Sequence, residues 1–168
     1  YRFTLGHQMM IGLPDSTEQD DITTAKDLIK LKPKIVRIYP VLVIKGTKLE
    51  EEYNNGDYEP LTVNQAVERC KELCYMFGKK KIQVIRIGLQ NSDTICTPGT
   101  EKSQVVAGPY HETFRQLVES SMYYDTIEEK IKKWVIMNEK YEYRYNMEQD
   151  KICFVDFCKM LYQQEYLF

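Results

Sequence analysis

The stretch HQMMIGLPDSTEQDDITTAKDLIKLKPKIVRIYP, residues 7–40, decides the fold of this chain. Residues 7–13 are mostly apolar and run into Pro14, as a buried strand does where it ends in a loop. The middle of the stretch repeats apolar side chains at helical spacing, at Ile22, Ala25, Leu28 and Ile29. Residues 34–44 are nearly continuously apolar and rich in β-branched side chains, which favours a parallel-sheet strand that Pro40 ends or bulges. The order strand, helix, strand predicts a right-handed βαβ unit.

Helix starts are predicted from capping boxes, in which a Ser, Thr or Asp is followed three residues later by Glu or Gln. The pairs are Ser16 with Gln19, Thr47 with Glu50, Thr62 with Gln65, and Asp125 with Glu128. The second helix is expected to end near Gly56 and the third at Gly78, because glycine commonly follows a helix end. The last pair interrupts a helical pattern over residues 111–138, so we predict two helices there rather than one.

The rest of the chain adds one strand, one loop and a tyrosine-rich segment. Residues 82–89 (IQVIRIGL) predict another buried strand, and residues 90–107 predict a long loop. Tyrosines alternate with charged residues at Tyr141, Tyr143 and Tyr145, which is the period of a strand. Residues 152–168 predict a final strand or helix.

Composition excludes several classes of protein. The chain has 168 residues and a formal net charge of −2, so no global field attracts it to nucleic acid or to an anionic membrane. No apolar run is long enough to cross a bilayer. Five cysteines, an odd number with irregular spacing, favour a reducing, cytoplasmic setting over a disulfide framework. The chain begins at Tyr1 without an initiator Met, which suggests a fragment or a trimmed chain.

Cysteine and histidine spacing predicts no complete metal site. Cys70 and Cys74 have the first half of a CxxxCxxC spacing, but Phe77 stands where the third cysteine is needed. Both cysteines lie on the apolar face of a predicted helix, which favours a structural role. His7 and His111 stand in no nucleophile or zinc motif, and we expect surface or capping roles for them.

Two other features are candidate binding elements. Gly12 follows a predicted strand at its carboxyl end, where ligands bind in α/β folds and where glycine permits close approach to the backbone. Arg37 and Arg86 are charges inside two similar apolar strands, Val36-Arg37-Ile38 and Ile85-Arg86-Ile87. Each is predicted either to pair with a core carboxylate or to point into a central cavity.

Four stretches together resemble one known family. They are HQMMIGLP (residues 7–14), KPKIVRIYPVLVIKGT (32–47), VIRIGLQ (84–90) and VVAGPYH (105–111). They resemble radical S-adenosylmethionine (SAM) proteins related to the Elongator catalytic subunit and, more distantly, oxygen-independent coproporphyrinogen oxidases. The resemblance covers roughly residues 5–130.

The resemblance implies a function and a set of site residues. In that superfamily three cysteines in CxxxCxxC bind a [4Fe–4S] cluster that cleaves SAM to a 5′-deoxyadenosyl radical. The strand ending in Gly-Leu-Pro resembles the fifth barrel strand, whose GxIxGxxE-like motif lies along the SAM adenine. The aligned positions are Gln8, Met10, Gly12 and Asp15, of which only Gly12 matches outright. The strand ending at Tyr39 resembles the sixth, which also borders the adenine, and Arg37 and Arg86 are possible substrate-side residues.

The expected fold is therefore α/β: the last strands of a partial (βα)6 radical SAM barrel with a helical or α+β C-terminal extension. We expect the barrel end at residues 1–60, the extension at residues 61–138 and an unassigned tail at residues 139–168. The missing N-terminal half of the barrel is an expected partner, and the substrate is an unknown small molecule or RNA. We expect no membrane association, no cofactor held by this chain alone, and a homodimer that covers the open edge of the sheet.

The alternative is a non-enzymatic binding or regulatory module built on a βαβ half-barrel. Its contact surface would be the long loop and the alternating tyrosines, which could stack on RNA bases.

Overall fold

The structure, a computed structural model, describes residues 3–92 and 94–140, and in the last helix it describes side chains as far as residue 134. The chain divides into two units, Tyr1–Ile127 and Glu128–Phe168. In chain order the elements are β1 (Gly6–Ile11), α1 (Glu18–Lys30), β2 (Ile35–Pro40), β3 (Val43–Ile44), α2 (Lys48–Asn55), α3 (Val63–Lys79), β4 (Gln83–Ile87), β5 (Val105–Ala107) and α4 (Phe114–Lys140).

Three parallel strands form the main sheet, in the order β1, β2, β4. The predicted strand–helix–strand unit is therefore present, and the later strand joins it on the far side of β2. A second, two-stranded sheet pairs β3 with β5 in antiparallel fashion. The mixed architecture agrees with the expected α/β class. Because β5 occupies the end of the segment predicted to be a loop, that loop is shorter than expected.

One face of the main sheet carries the core of the molecule. Alternate residues of β1 and β2 are buried there, such as Met9 and Val36, and in β4 Ile87 is buried. These side chains pack against buried residues of α1, α3 and α4: Ala25, Ala66, Val67, Cys70, Leu73, Cys74, Phe77, Phe114 and Val118. All three helices therefore lie against the same face, and period-two alternation leaves the other side chains of the strands on the opposite face.

The helix caps correct one prediction and refine another. The helix α1 begins after Thr17, whose hydroxyl accepts from the Asp20 N–H, so the prediction of a Ser16–Gln19 box was wrong by one residue. The Asp20 carboxylate completes this box by accepting from the Thr17 N–H at 2.8 Å. Thr62 and Gln65 form the complete capping box that the sequence predicts. At α2 only half of the box forms, since the Thr47 hydroxyl accepts from the Glu50 N–H at 3.3 Å.

The prediction of two helices over residues 111–138 was wrong, because α4 is continuous from Phe114 to Lys140. The Asp125 carboxylate does not cap a new helix. It accepts from Lys71 Nζ at 2.9 Å and so ties the middle of α4 to α3. None of the helices in the described part of the chain is long and apolar enough to cross a membrane.

Candidate functional site

The face of the main sheet opposite the helices carries most of the residues predicted to bind ligand. We call this the open face and define it as Gln8, Met10, Arg37, Tyr39 and Arg86. Register pairs Gln8 with Arg37, Met10 with Tyr39, and Arg37 with Arg86. Tyr39 is half-buried and the other four are exposed, Met10 by 46%. Residues separated by up to 78 positions in the sequence therefore form one continuous patch.

Arg86 reaches the open face because β4 contains a bulge. Val36 pairs with Val84, but the next residue of β2, Arg37, pairs with Arg86, so Ile85 is the extra residue. Without this shift, alternation would turn Arg86 toward the helices. The Ile85 carbonyl accepts a hydrogen bond from Arg115 Nη1 of α4 at 3.1 Å. No sequence pattern predicted this bulge.

Gly12 shapes the turn after β1, and its backbone groups are both occupied. It is buried with φ of +72°, a conformation that favours glycine. Its carbonyl accepts from the Tyr58 hydroxyl at 2.7 Å, and its N–H donates to the Asp21 carboxylate. A Cβ here would lie 2.7 Å from Leu61 Cδ1. The close approach that glycine permits is therefore made by a side chain of the protein itself.

Asp21 and Arg69 form a buried ion pair behind this turn. Their side chains meet at 2.8 Å and are exposed by only 4% and 19%. Burial raises the pKa of the Asp21 carboxyl, while the Arg69 guanidinium and the Gly12 N–H oppose that rise. Sequence analysis missed this pair. The sequence did contain one signal for it, because Asp21 lies four residues before Ala25 and so falls on the apolar face of α1, where a carboxylate needs a partner.

Asp15 lies apart from the open face, in the loop between β1 and α1. It is exposed and adopts φ of 58°, a left-handed conformation that Asp tolerates better than most residues. It therefore stands beyond the carboxyl end of β1 and is not part of the open face.

The two histidines have different surroundings. His111 precedes α4, and its Nδ1 lies 3.1 Å from the backbone N–H of Thr113, which it caps. His7 is half-buried on the strand face that packs on the helices, and its Nε2 has no hydrogen-bond partner in the described part of the chain.

A small cavity that includes His111 is lined by Pro40, Leu42, Gly88, Leu89, Pro109, Tyr110, His111 and Phe114. The Tyr110 hydroxyl there donates to the Asn91 side chain.

Cys70 and Cys74 are core residues, as their helical spacing predicted. Cys70 is fully buried and Cys74 is 8% exposed. Burial raises the pKa of the Cys70 thiol and raises that of Cys74 to about 12. Both are thus protonated at neutral pH, whereas iron binds thiolates. Among the side chains described, in residues 3–92 and 94–134, no group of three ligating residues converges, so a [4Fe–4S] cluster does not fit there. Cys153, Cys158 and the predicted tyrosine strand lie outside the described residues.

Comparison with known proteins places these features in a family. The radical SAM C-terminal domain matches residues 33–124, more than half of the chain. An uncharacterized protein of Methanocaldococcus jannaschii is 45% identical over 62 residues, covering 37% of this chain and 19% of that protein. The tRNA uridine(34) acetyltransferase of the same organism is 30% identical over 104 residues, covering 60% of this chain and 19% of the enzyme.

A solved structure agrees with this assignment. The Elp3 of Methanocaldococcus infernus, with an N-terminus deletion, superimposes with a TM-score of 0.57 at 26% identity. The match covers 72% of this chain and 27% of that one. The chain thus spans about a fifth of the length of the curated relatives it matches. It belongs to the radical SAM C-terminal domain family and corresponds to a C-terminal part of a radical SAM protein.

Proposed function

We propose that this chain contributes part of the SAM adenine pocket of a radical SAM oxidoreductase. Gln8, Met10 and Tyr39 would lie along the base, with Gly12 and Asp15 at its edge. The observation that carries the proposal is the pairing of Met10 with Tyr39 on the open face, each one residue before the end of its strand. Ligands of α/β folds bind beyond the carboxyl ends of parallel strands.

The side chains suit a purine. Met10 offers a polarizable thioether and Tyr39 an aromatic ring, both of which pack well on a flat heterocycle. The Gln8 amide can donate and accept hydrogen bonds, as an adenine edge requires. Gly12 acts indirectly, since Tyr58 and Asp21 already occupy its backbone groups. It holds the turn that brings the end of β1 beside β2.

The radical chemistry belongs to another part of the protein under this proposal. A cluster-bound SAM supplies the 5′-deoxyadenosyl radical in this superfamily, and an enzyme cannot run such chemistry without the ligands of its cofactor. The 168 residues contain no CxxxCxxC motif. We therefore expect the N-terminal half of the barrel to provide the cluster, and this chain to provide one wall of the pocket.

Binding to the open face is tested by NMR on this chain with ¹³C-labelled methionine methyl groups. Titration with SAM should shift the Met10 methyl signal saturably, in the millimolar range because the pocket is incomplete. The methyl of Met76, which packs against the core on the helix side of the sheet, should not move. Absence of a Met10 shift, or equal shifts at both methyls, would rule out the proposed adenine contact.

A pair of substitutions controls for indirect effects. Met10→Ala should abolish the response at the Tyr39 ring signals, whereas Met76→Ala should leave it unchanged. If both variants respond as the unaltered chain does, SAM is not packing on Met10.

A further inference from the structure

Arg37 and Arg86 are neighbours on the open face, and neither has a carboxylate partner within the described part of the chain. They are register partners on adjacent parallel strands, and both are exposed. The other two arginines of the described residues are paired, Arg69 with Asp21 and Arg115 with Glu119. Neither Arg37 nor Arg86 forms an ion pair or a side-chain hydrogen bond with any residue that the structure describes.

This arrangement is unfavourable in itself. Like charges directly opposite one another on neighbouring strands repel and destabilise a sheet. An uninterrupted β4 would have avoided the repulsion by turning Arg86 away from Arg37, and the bulge at Ile85 prevents this. Bulges are rare in parallel pairs and are over-represented next to active sites, where they re-aim a side chain. Arg115 helps to hold this one by its hydrogen bond to the Ile85 carbonyl.

We propose that Arg37 and Arg86 together form an anion site that anchors a phosphoryl or carboxylate group of the substrate. Two guanidinium groups offer forked donors that match the oxygens of either group. A single anion between them would also remove their mutual repulsion. No acidic side chain belongs to the open face, so nothing within it competes for the site.

The site is offset from the proposed adenine contact, so we assign its anion to the substrate rather than to the adenine end of SAM. Arg37 precedes Tyr39 by two residues on β2, which is about 7 Å further from the carboxyl end of the strand. The assignment to the substrate rests on the proposed function, whereas the existence of an anion site does not. The two are therefore tested with different ligands and different signals.

The test uses the whole chain, the Nε–H NMR signals of its arginines, and two probes at constant ionic strength: inorganic phosphate and glutarate. At least one probe should shift the Arg37 and Arg86 signals saturably. Saturation by phosphate alone assigns a phosphoryl group, and saturation by glutarate alone assigns a carboxylate. Arg37→Gln and Arg86→Gln should each weaken binding by about tenfold. Lys26→Gln removes the same charge from an exposed position on α1 and should change it by less than about twofold.

Three results would overturn the inference. They are no saturable shift with either probe, equal binding by the arginine variants and the Lys26→Gln control, and displacement of the probe by SAM. The last would mean that the anion is the carboxylate of SAM itself. None of them alters the Met10 response to SAM, so failure of the anion site is distinguishable from failure of the adenine proposal.

Discussion

At the scale of single residues, the turn after β1 depends on a small buried polar network. Gly12 lies between Tyr58 and Asp21, and Asp21 is held in turn by Arg69. A buried charge without its partner is costly, whereas a matched apolar pair in the same place is often tolerated. The network therefore fixes the path of the chain where the proposed pocket begins.

Removing the Asp21 carboxylate should destabilise the fold strongly. Asp21→Ala leaves Arg69 and the Gly12 N–H without their acceptor, and we expect a loss of about 3–5 kcal/mol in the free energy of unfolding. Urea denaturation followed by circular dichroism measures it. The double variant Asp21→Leu/Arg69→Met should recover most of the loss. A change below about 1 kcal/mol in Asp21→Ala would place the pair among ordinary surface ion pairs.

The two core cysteines give a second prediction at this scale. Because burial keeps the thiols of Cys70 and Cys74 protonated, iodoacetamide should alkylate them slowly in the folded chain and rapidly in urea. Peptide-resolved mass spectrometry reads each site separately. Rapid alkylation of Cys74 under native conditions would show that α3 does not pack as described.

At the scale of elements, prediction succeeded where local signals agreed and failed where a distant contact decided. The apolar runs of β1, β2 and β4 and the periodicity of α3 were sufficient to find those elements. The Asp125–Glu128 pattern wrongly predicted a helix start, because the Asp125 carboxylate instead pairs with Lys71, which is distant in sequence. The bulge in β4 left no local mark, since IQVIRIGL reads as an ordinary buried strand.

The bulge can be tested through its contact with α4. Arg115→Met removes the donor to the Ile85 carbonyl, at a cost of about 1 kcal/mol, and should speed hydrogen exchange of the Arg86 and Ile87 amides about fivefold. Glu119→Gln removes only the ion partner of Arg115 and serves as the control. Unchanged exchange in Arg115→Met would mean that the bulge does not need this hydrogen bond.

At the scale of the whole molecule, we expect the open face and the edge of β1 to be the surfaces through which this chain contacts the rest of a radical SAM protein. The sequence predicted the family and the five residues of the open face. That their side chains share one face could not be predicted, because it depends on the register of the three strands. Two expectations about assembly stay predictions: that the missing N-terminal half of the barrel is a partner, and that this chain self-associates.

The chain alone should be unable to generate a radical. After anaerobic incubation with iron, sulfide, a strong reductant and SAM, we expect no 5′-deoxyadenosine above the level of a protein-free control, since the chain has no cluster motif. Chromatography with mass detection measures the product. Catalytic turnover would show that the cluster is held in a way that the sequence does not reveal.

The most direct test of the central claim is photolabelling of this chain with SAM that carries an azide on C8 of the adenine. The label should appear in peptides that contain Gly6–Ile11 or Ile35–Pro40, and excess SAM should suppress it. Labelling confined to the helices α1 and α3, on the other side of the sheet, or labelling that excess SAM does not reduce, would contradict the assignment of the open face to the adenine.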